Sequence, residues 1–278
     1  RASVSYAAGT WPNVNLEYAY KVSDVDIYNH GIPYTHLRTD RQDVKMYLSQ
    51  FYSKYLGSGL GVDLQMYRTP KIFSETEIDQ IAFHPINAIG VFGYFDFDNR
   101  DKDVFPSRGI DLNLNGAWHF YQFGKGLDGA FQQGRMNIGQ AYGSFTSYIP
   151  VTSRLTVIPQ VYASFVFGRD AYFDECYPIF DHYANFIDGG GVMGRYFQQE
   201  LPFVGVNNLE YMYNNAVILR VDVRCLLIEN LYLTVMPNYI RDAAYINKFF
   251  DREYMDDIFG VGVQVGYDSA IGPISLDV

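Results

Sequence analysis

Cysteine is nearly absent from this chain. Two residues, Cys176 and Cys225, stand among 278, too few for a disulfide framework and at a spacing that matches no zinc pattern. One bridge between them is permitted, not required. Cys225 ends a strand on its apolar face, where a buried or lipid-facing thiol is expected. Charge is also scarce: Asp, Glu, Lys and Arg make up 19% of the chain, against roughly 25% in soluble domains. There is no block of Lys or Arg, and the net charge of -10 with a pI near 4.9 excludes a general nucleic-acid surface, which would be basic. No apolar run approaches the roughly 18 residues that a spanning helix needs. A Gly-x-Ser-x-Gly nucleophile turn is missing. His30, His36, His84, His119 and His182 form no HExxH or paired-ligand arrangement. Neither a phosphate loop nor a dinucleotide fingerprint occurs. Asp170, Asp174, Glu175 and Asp181 lack EF-hand spacing and read as solvated loop acids. No catalytic residue, metal or cofactor is therefore assigned to this chain.

Aromatic residues are plentiful, with 25 Tyr and 21 Phe, and so is glycine, with 25 residues. The sequence also alternates. In Val217–Cys225 the odd positions are apolar, while Arg220, Asp222 and Arg224 share the other face. A period of two means a strand with one apolar and one polar face. Leu231–Met236, Asp111–Asn115 and Val261–Tyr267 repeat the pattern. Leu219, Val221, Val223, Leu231, Leu233, Val235, Val263 and Val265 are expected on one face, and Arg220, Asp222, Arg224 and Gln264 on the other. A soluble β-rich module would turn the apolar face inward; a membrane barrel would turn it to lipid and add aromatic girdles. Alternation and composition leave both open.

Strands are expected at about 2–8, 12–21, 43–55, 59–68, 77–84, 87–98, 109–122, 133–148, 153–167, 215–227, 230–241, 258–267 and 272–278. Their lengths, often near ten residues, suit tilted membrane crossings better than the five or six of soluble sheets. Polar residues 24–41, with His30, Gly31 and Pro33, read as a loop. The first and last residues lie within the pattern, so residues 1–278 are expected to form one β-barrel domain cut from a longer polypeptide. The stretch 168–214 lacks alternation and is too long for a hairpin turn. It holds Gly189-Gly190-Gly191-Val192-Met193-Gly194-Arg195-Tyr196 and then Leu201-Pro202-Phe203. Its apolar, glycine-rich content reads as a loop folded back into a cavity, with Arg195 held by a carboxylate, the alternative being an exposed flexible loop with a solvated arginine.

Three regions together resemble the Omp85 superfamily of outer-membrane barrels. Gly93–Asp101 with Phe105-Pro106-Ser107-Arg108-Gly109 is similar to the family's strand, acidic loop and "FPTRG"-like restart. Gly189, Gly190, Gly194, Arg195 and Tyr196 are similar to its sixth extracellular loop, with Gly before Arg where the family has Arg before Gly. Gly260–Asp268 and Ile271–Asp277 are similar to the closing strands. The usual acid on the strand after the loop matches Asp222. The acid of the next strand's "FxDxG" is absent, its place being taken by Pro237-Asn238-Tyr239. Gly-Arg-Tyr followed by Leu-Pro-Phe looks most like the barrels fused to patatin-like phospholipases in Bacteroidetes.

This resemblance implies an all-β, transmembrane antiparallel β-barrel, sixteen-stranded when complete, with a long loop folded into the lumen. It implies an outer-membrane location and, as partners, outer-membrane lipid and lipopolysaccharide with other outer-membrane or periplasmic proteins. Arg195 would meet Asp222 on the wall, with Arg220 and Arg224 alongside; a ladder of those three among themselves is equally open. The implied function is a translocator or anchor barrel carrying a patatin-like domain outside this chain, so that any catalytic Ser and Asp lie upstream of Arg1. Alternatives are an insertase barrel of the BamA or TamA type and, in another class, a secreted soluble β-rich binding module.

Overall fold

Alternation this sustained produces long strands, because each residue pair adds ladder hydrogen bonds without changing which face is wet. The computed structural model describes residues 2–6, 12–29, 32–72, 86–125, 131–168, 185–189, 200–206, 212–213, 215–243, 245–253 and 255–277. The main strands are β1 (Ala2–Tyr6), β2 (Asn13–Asn29), β3 (Ile32–Ser53), β4 (Leu56–Ile72), β5 (Ile86–Asp98), β6 (Gly109–Lys125), β7 (Phe131–Pro150) and β8 (Leu155–Phe167). Short strands β9 (Asn185–Gly189), β10 (Glu200–Phe203) and β11 (Met212–Tyr213) precede β12 (Asn215–Ile228), β13 (Leu231–Ala243), β14 (Met255–Ser269) and β15 (Gly272–Asp277). Of residues 24–41, expected as a loop, 24–29 and 32–41 instead continue β2 and β3, which pair from Asn13↔Ser49 out to Asn29↔Ile32. The expected strand at 77–84 lies outside the described residues.

Twelve strands form one antiparallel sheet in the order β1 to β8, then β12 to β15; β10, β9 and β11 make a separate three-stranded sheet. The sheet is not closed. Strands β1 and β15 are its two edges, and no ladder joins them among the described residues. The expectation of a closed sixteen-stranded barrel is thus corrected to an open twelve-stranded sheet. Hairpin pairing between neighbours follows from local pattern, whereas closure requires the first and last strands to meet in register. Here β15 covers β14 only from Gln264 to Ser269, and β1 covers β2 only from Val14 to Tyr18.

The faces of the sheet are inverted relative to a soluble fold. Leu219, Val221, Val223, Val235, Val263 and Val265 are exposed, Val221 at 44%. Arg220, Asp222 and Arg224 are buried, Asp222 at 6%, together with Glu17, Asp43, Asp63, His119, Thr234 and Asn238. The polar face is buried because the sheet curls upon it. The connection between β5 and β6 reaches past β7 and β8 to touch β12, β13 and β14. No described helix is long and apolar enough to cross a membrane. Connections at one end, such as Lys54-Tyr55, Glu229-Asn230 and Ala270-Ile271, are tight. Exposed aromatic residues stand near both ends: Phe51, Tyr52 and Tyr55 at this one, Phe131, Tyr245 and Phe250 at the other. That is the placement of interfacial girdles.

Candidate functional site: the polar wall of β12, β13 and β14

Strand β12 supplies the charges. Arg220 donates from Nε to Asp222 Oδ1 at 2.6 Å and from Nη2 to Asp222 Oδ2 at 2.9 Å. This is a bidentate fork, the geometry in which a guanidinium satisfies a carboxylate best. Gln160 of β8, directly across the ladder from Arg220, donates Nε2 to Asp222 Oδ2 at 2.8 Å. Tyr162 Oη in turn donates to Gln160 Oε1. Arg220 and Asp222 therefore pair within β12. Arg224 goes elsewhere: it donates to the Pro106 carbonyl and lies 5.8 Å from the Phe105 ring centre and 5.6 Å from that of Tyr232. Those two rings stack with centroids 4.5 Å apart and planes at 19°, and the guanidinium lies beside the stack, nearly equidistant from both rings.

The turn between β5 and β6 is built to hold Phe105 there. Asp101 Oδ1 accepts from the Ser107 backbone N–H at 2.8 Å, and Oδ2 from the Ser107 hydroxyl at 2.6 Å. Partial burial opposes ionisation of Asp101, but the hydrogen bonds from Ser107 and the Arg108 backbone outweigh it and hold the carboxyl below its usual range. Arg100 forks onto Asp98 at 2.9 and 2.6 Å, which holds its guanidinium firmly charged. Phe105 itself has φ +46°, and its ring covers Gly266, where an added Cβ would come within 2.6 Å of it. The "FPTRG"-like segment thus acts as a strut from one side of the curled sheet to the other.

The wall also carries a passenger from its own chain. Leu201 and Phe203 of β10 are wholly buried in one cluster with Tyr142, Tyr162, Ile218 and Ile240. Val204 follows, its backbone held by Asn238 and its side chain over Gly262. Residues 200–206, in the long stretch that the sequence assigns to a cavity, therefore lie against the polar face. Gly189 closes β9 opposite Phe203. Gly190, Gly194, Arg195 and Tyr196 lie outside the described residues, as do Cys176 and the acidic residues 170–181; Cys225 is a free, half-buried thiol. His119 is on the polar face, wholly buried, with Nε2 3.2 Å from Asp63 Oδ2. Among the described residues no group of three or more His, Cys, Asp or Glu is placed to hold a metal.

Sequence reasoning missed Phe105, Tyr232, Asn238, Gly260 and Gly262 as wall contacts. For the glycines a signal existed: Gly-x-Gly inside a strand marks close approach of another chain segment.

The family model of the OMP85 superfamily matches residues 12–278. No match to a curated protein reached significance. Among solved structures, BamA from Haemophilus ducreyi lacking POTRA domains 1–3 superimposes with TM-score 0.68 at 12% identity, over 99% of this chain and 56% of that one. CdiB from Escherichia coli superimposes with TM-score 0.52 at 15% identity, over 99% and 47%. The chain thus spans about half the length of these two proteins. Inverted faces, a segment of the chain's own on the polar wall and a family match over nearly every residue agree: this chain belongs to the OMP85 superfamily, whose place is the bacterial outer membrane.

Proposed function

We propose that this chain is the membrane-spanning part of an outer-membrane protein that handles polypeptides, in the manner of an insertase of the BamA type. One observation carries the reading: the polar wall is covered by the chain's own buried Leu201–Val204 segment, which a passive diffusion pore would not need. The similarity to BamA in fold supports it. The chain itself does no chemistry in this reading. Its partners are outer-membrane lipid, lipopolysaccharide and other outer-membrane or periplasmic proteins. A second reading, an anchor or translocator for a patatin-like domain outside this chain, is favoured by Gly194-Arg195-Tyr196 followed by Leu201-Pro202-Phe203. Depletion in the host separates the two. Under the first, the level of folded, heat-modifiable outer-membrane barrels falls with the protein. Under the second that level holds, and a domain attached to this chain leaves the envelope fraction; unchanged barrel levels therefore overturn the first reading.

Within this function Arg195 joins Asp222 on the wall, adding a third donor to a carboxylate that Arg220 and Gln160 already approach. A double-mutant cycle on Arg195 and Asp222 is expected to give a coupling of about 1–3 kcal/mol, the range for side chains in one network. Coupling near zero removes Arg195 from this wall.

A further inference from the structure

Asn238 sits where the family pattern expects a carboxylate, and its surroundings explain the amide. Its Oδ1 accepts from the Val204 backbone N–H at 2.7 Å, and its Nδ2 donates to the Val204 carbonyl at 2.9 Å. One side chain thus satisfies both backbone groups of one residue, as a neighbouring strand would. The N–H only donates and the carbonyl only accepts, so a side chain without both functions leaves a buried group unpaired. Two glycines of β14 complete the seat. A Cβ at Gly260 would collide with the Val204 carbonyl oxygen and lie 2.7 Å from Asn238 Nδ2, and one at Gly262 would collide with Val204 Cγ1. Gly205, at φ +108°, turns the chain away over Gly260, a conformation that favours glycine. Phe203 and Leu201 fill the apolar cluster beside it.

From this geometry we infer that Asn238, Gly260 and Gly262 form a neutral binding notch for an extended peptide segment, filled in cis by Phe203-Val204-Gly205, and that this notch fixes the long loop to the wall independently of Arg195. The inference deepens the proposed function and rests on its premise that the loop lies on the wall in the membrane. The seat contains no charge of its own, so its hold is insensitive to salt and to the state of the Arg220–Asp222 pair. It selects a backbone and a small β-branched residue next to an aromatic one, not a side-chain charge.

Hydrogen exchange measured by mass spectrometry on the full chain in lipid nanodiscs tests this, using peptides that cover residues 200–206. Asn238→Asp keeps the size but loses the donor, and Gly262→Ala displaces Val204. Each is expected to raise exchange of that segment about tenfold, the loss of a buried hydrogen bond. Adding Val204→Ala to Gly262→Ala removes the colliding methyl and leaves Cβ at 3.3 Å, so exchange returns towards the parent value. Arg195→Ala leaves it unchanged. Heat-modifiable migration establishes that each variant is folded. Unchanged exchange in folded Asn238→Asp and Gly262→Ala overturns the inference. So does release of the segment by Arg195→Ala alone, or failure of Val204→Ala to restore protection. None of these outcomes depends on the host-depletion result, so this inference and the insertase reading fail separately.

Discussion

An arginine at Val221 is expected to destabilise the folded protein in lipid by about 2–4 kcal/mol, the cost of a cation on the lipid face near the bilayer midplane. Val221 stands halfway along β12, points away from the polar wall and is flanked on its face by Leu219 and Val223, all exposed. In water such exposure would be a liability; in lipid it is the solvated state. The adjacent residues point the other way, so the effect belongs to one face only: Gln264→Arg, on the polar side of β14, should cost markedly less. Urea unfolding from vesicles checks both. A Val221→Arg midpoint within about 0.5 kcal/mol of the parent protein, typical of an ordinary surface change, would mean that this face does not meet hydrocarbon.

Asp222→Ala is expected to cost about 3–5 kcal/mol, because it strips a buried guanidinium of its forked carboxylate. Arg220 and Asp222 are each less than a tenth exposed, and the carboxylate also accepts from Gln160. Replacing the pair with apolar residues of similar volume need not be costly; removing one partner is. Asp222→Asn retains an acceptor and should lose less. The Met236 sulfur 2.7 Å from Arg220 Nη2 is too weak an acceptor to compensate. The same unfolding measurement decides: a loss below about 1 kcal/mol, the range of exposed pairs, would show that water on the polar face solvates the arginine.

Much of the wall is legible in the amino-acid pattern. Val217–Cys225 assigns its own faces, since residues two apart in a strand must share a side, and Arg220, Asp222 and Arg224 fall together for that reason alone. What Arg224 touches is not legible there. Its partners Phe105 and Pro106 come from a turn more than a hundred residues earlier, brought across by the curl of the sheet. Residues 24–29 and 32–41 mislead because polarity and Pro33 read locally as loop, whereas continued pairing of β2 with β3 overrides local preference. Asn238 looks like a motif with its acid missing; only the docked Val204 shows that an amide reading a backbone belongs there.

Periodicity and short motifs in fixed order are enough for the all-β class, the two-faced strands, the hairpin order of neighbours and the family, because each of these is written in residues close together along the chain. Three features arise only from the folded arrangement: the twelve-stranded sheet stays open, the turn between β5 and β6 braces β12 to β14, and Val204 sits on Asn238 between two glycines. Each of these joins residues far apart in the chain, where curl, register and the space left by a missing Cβ set the contact, and no local pattern encodes those.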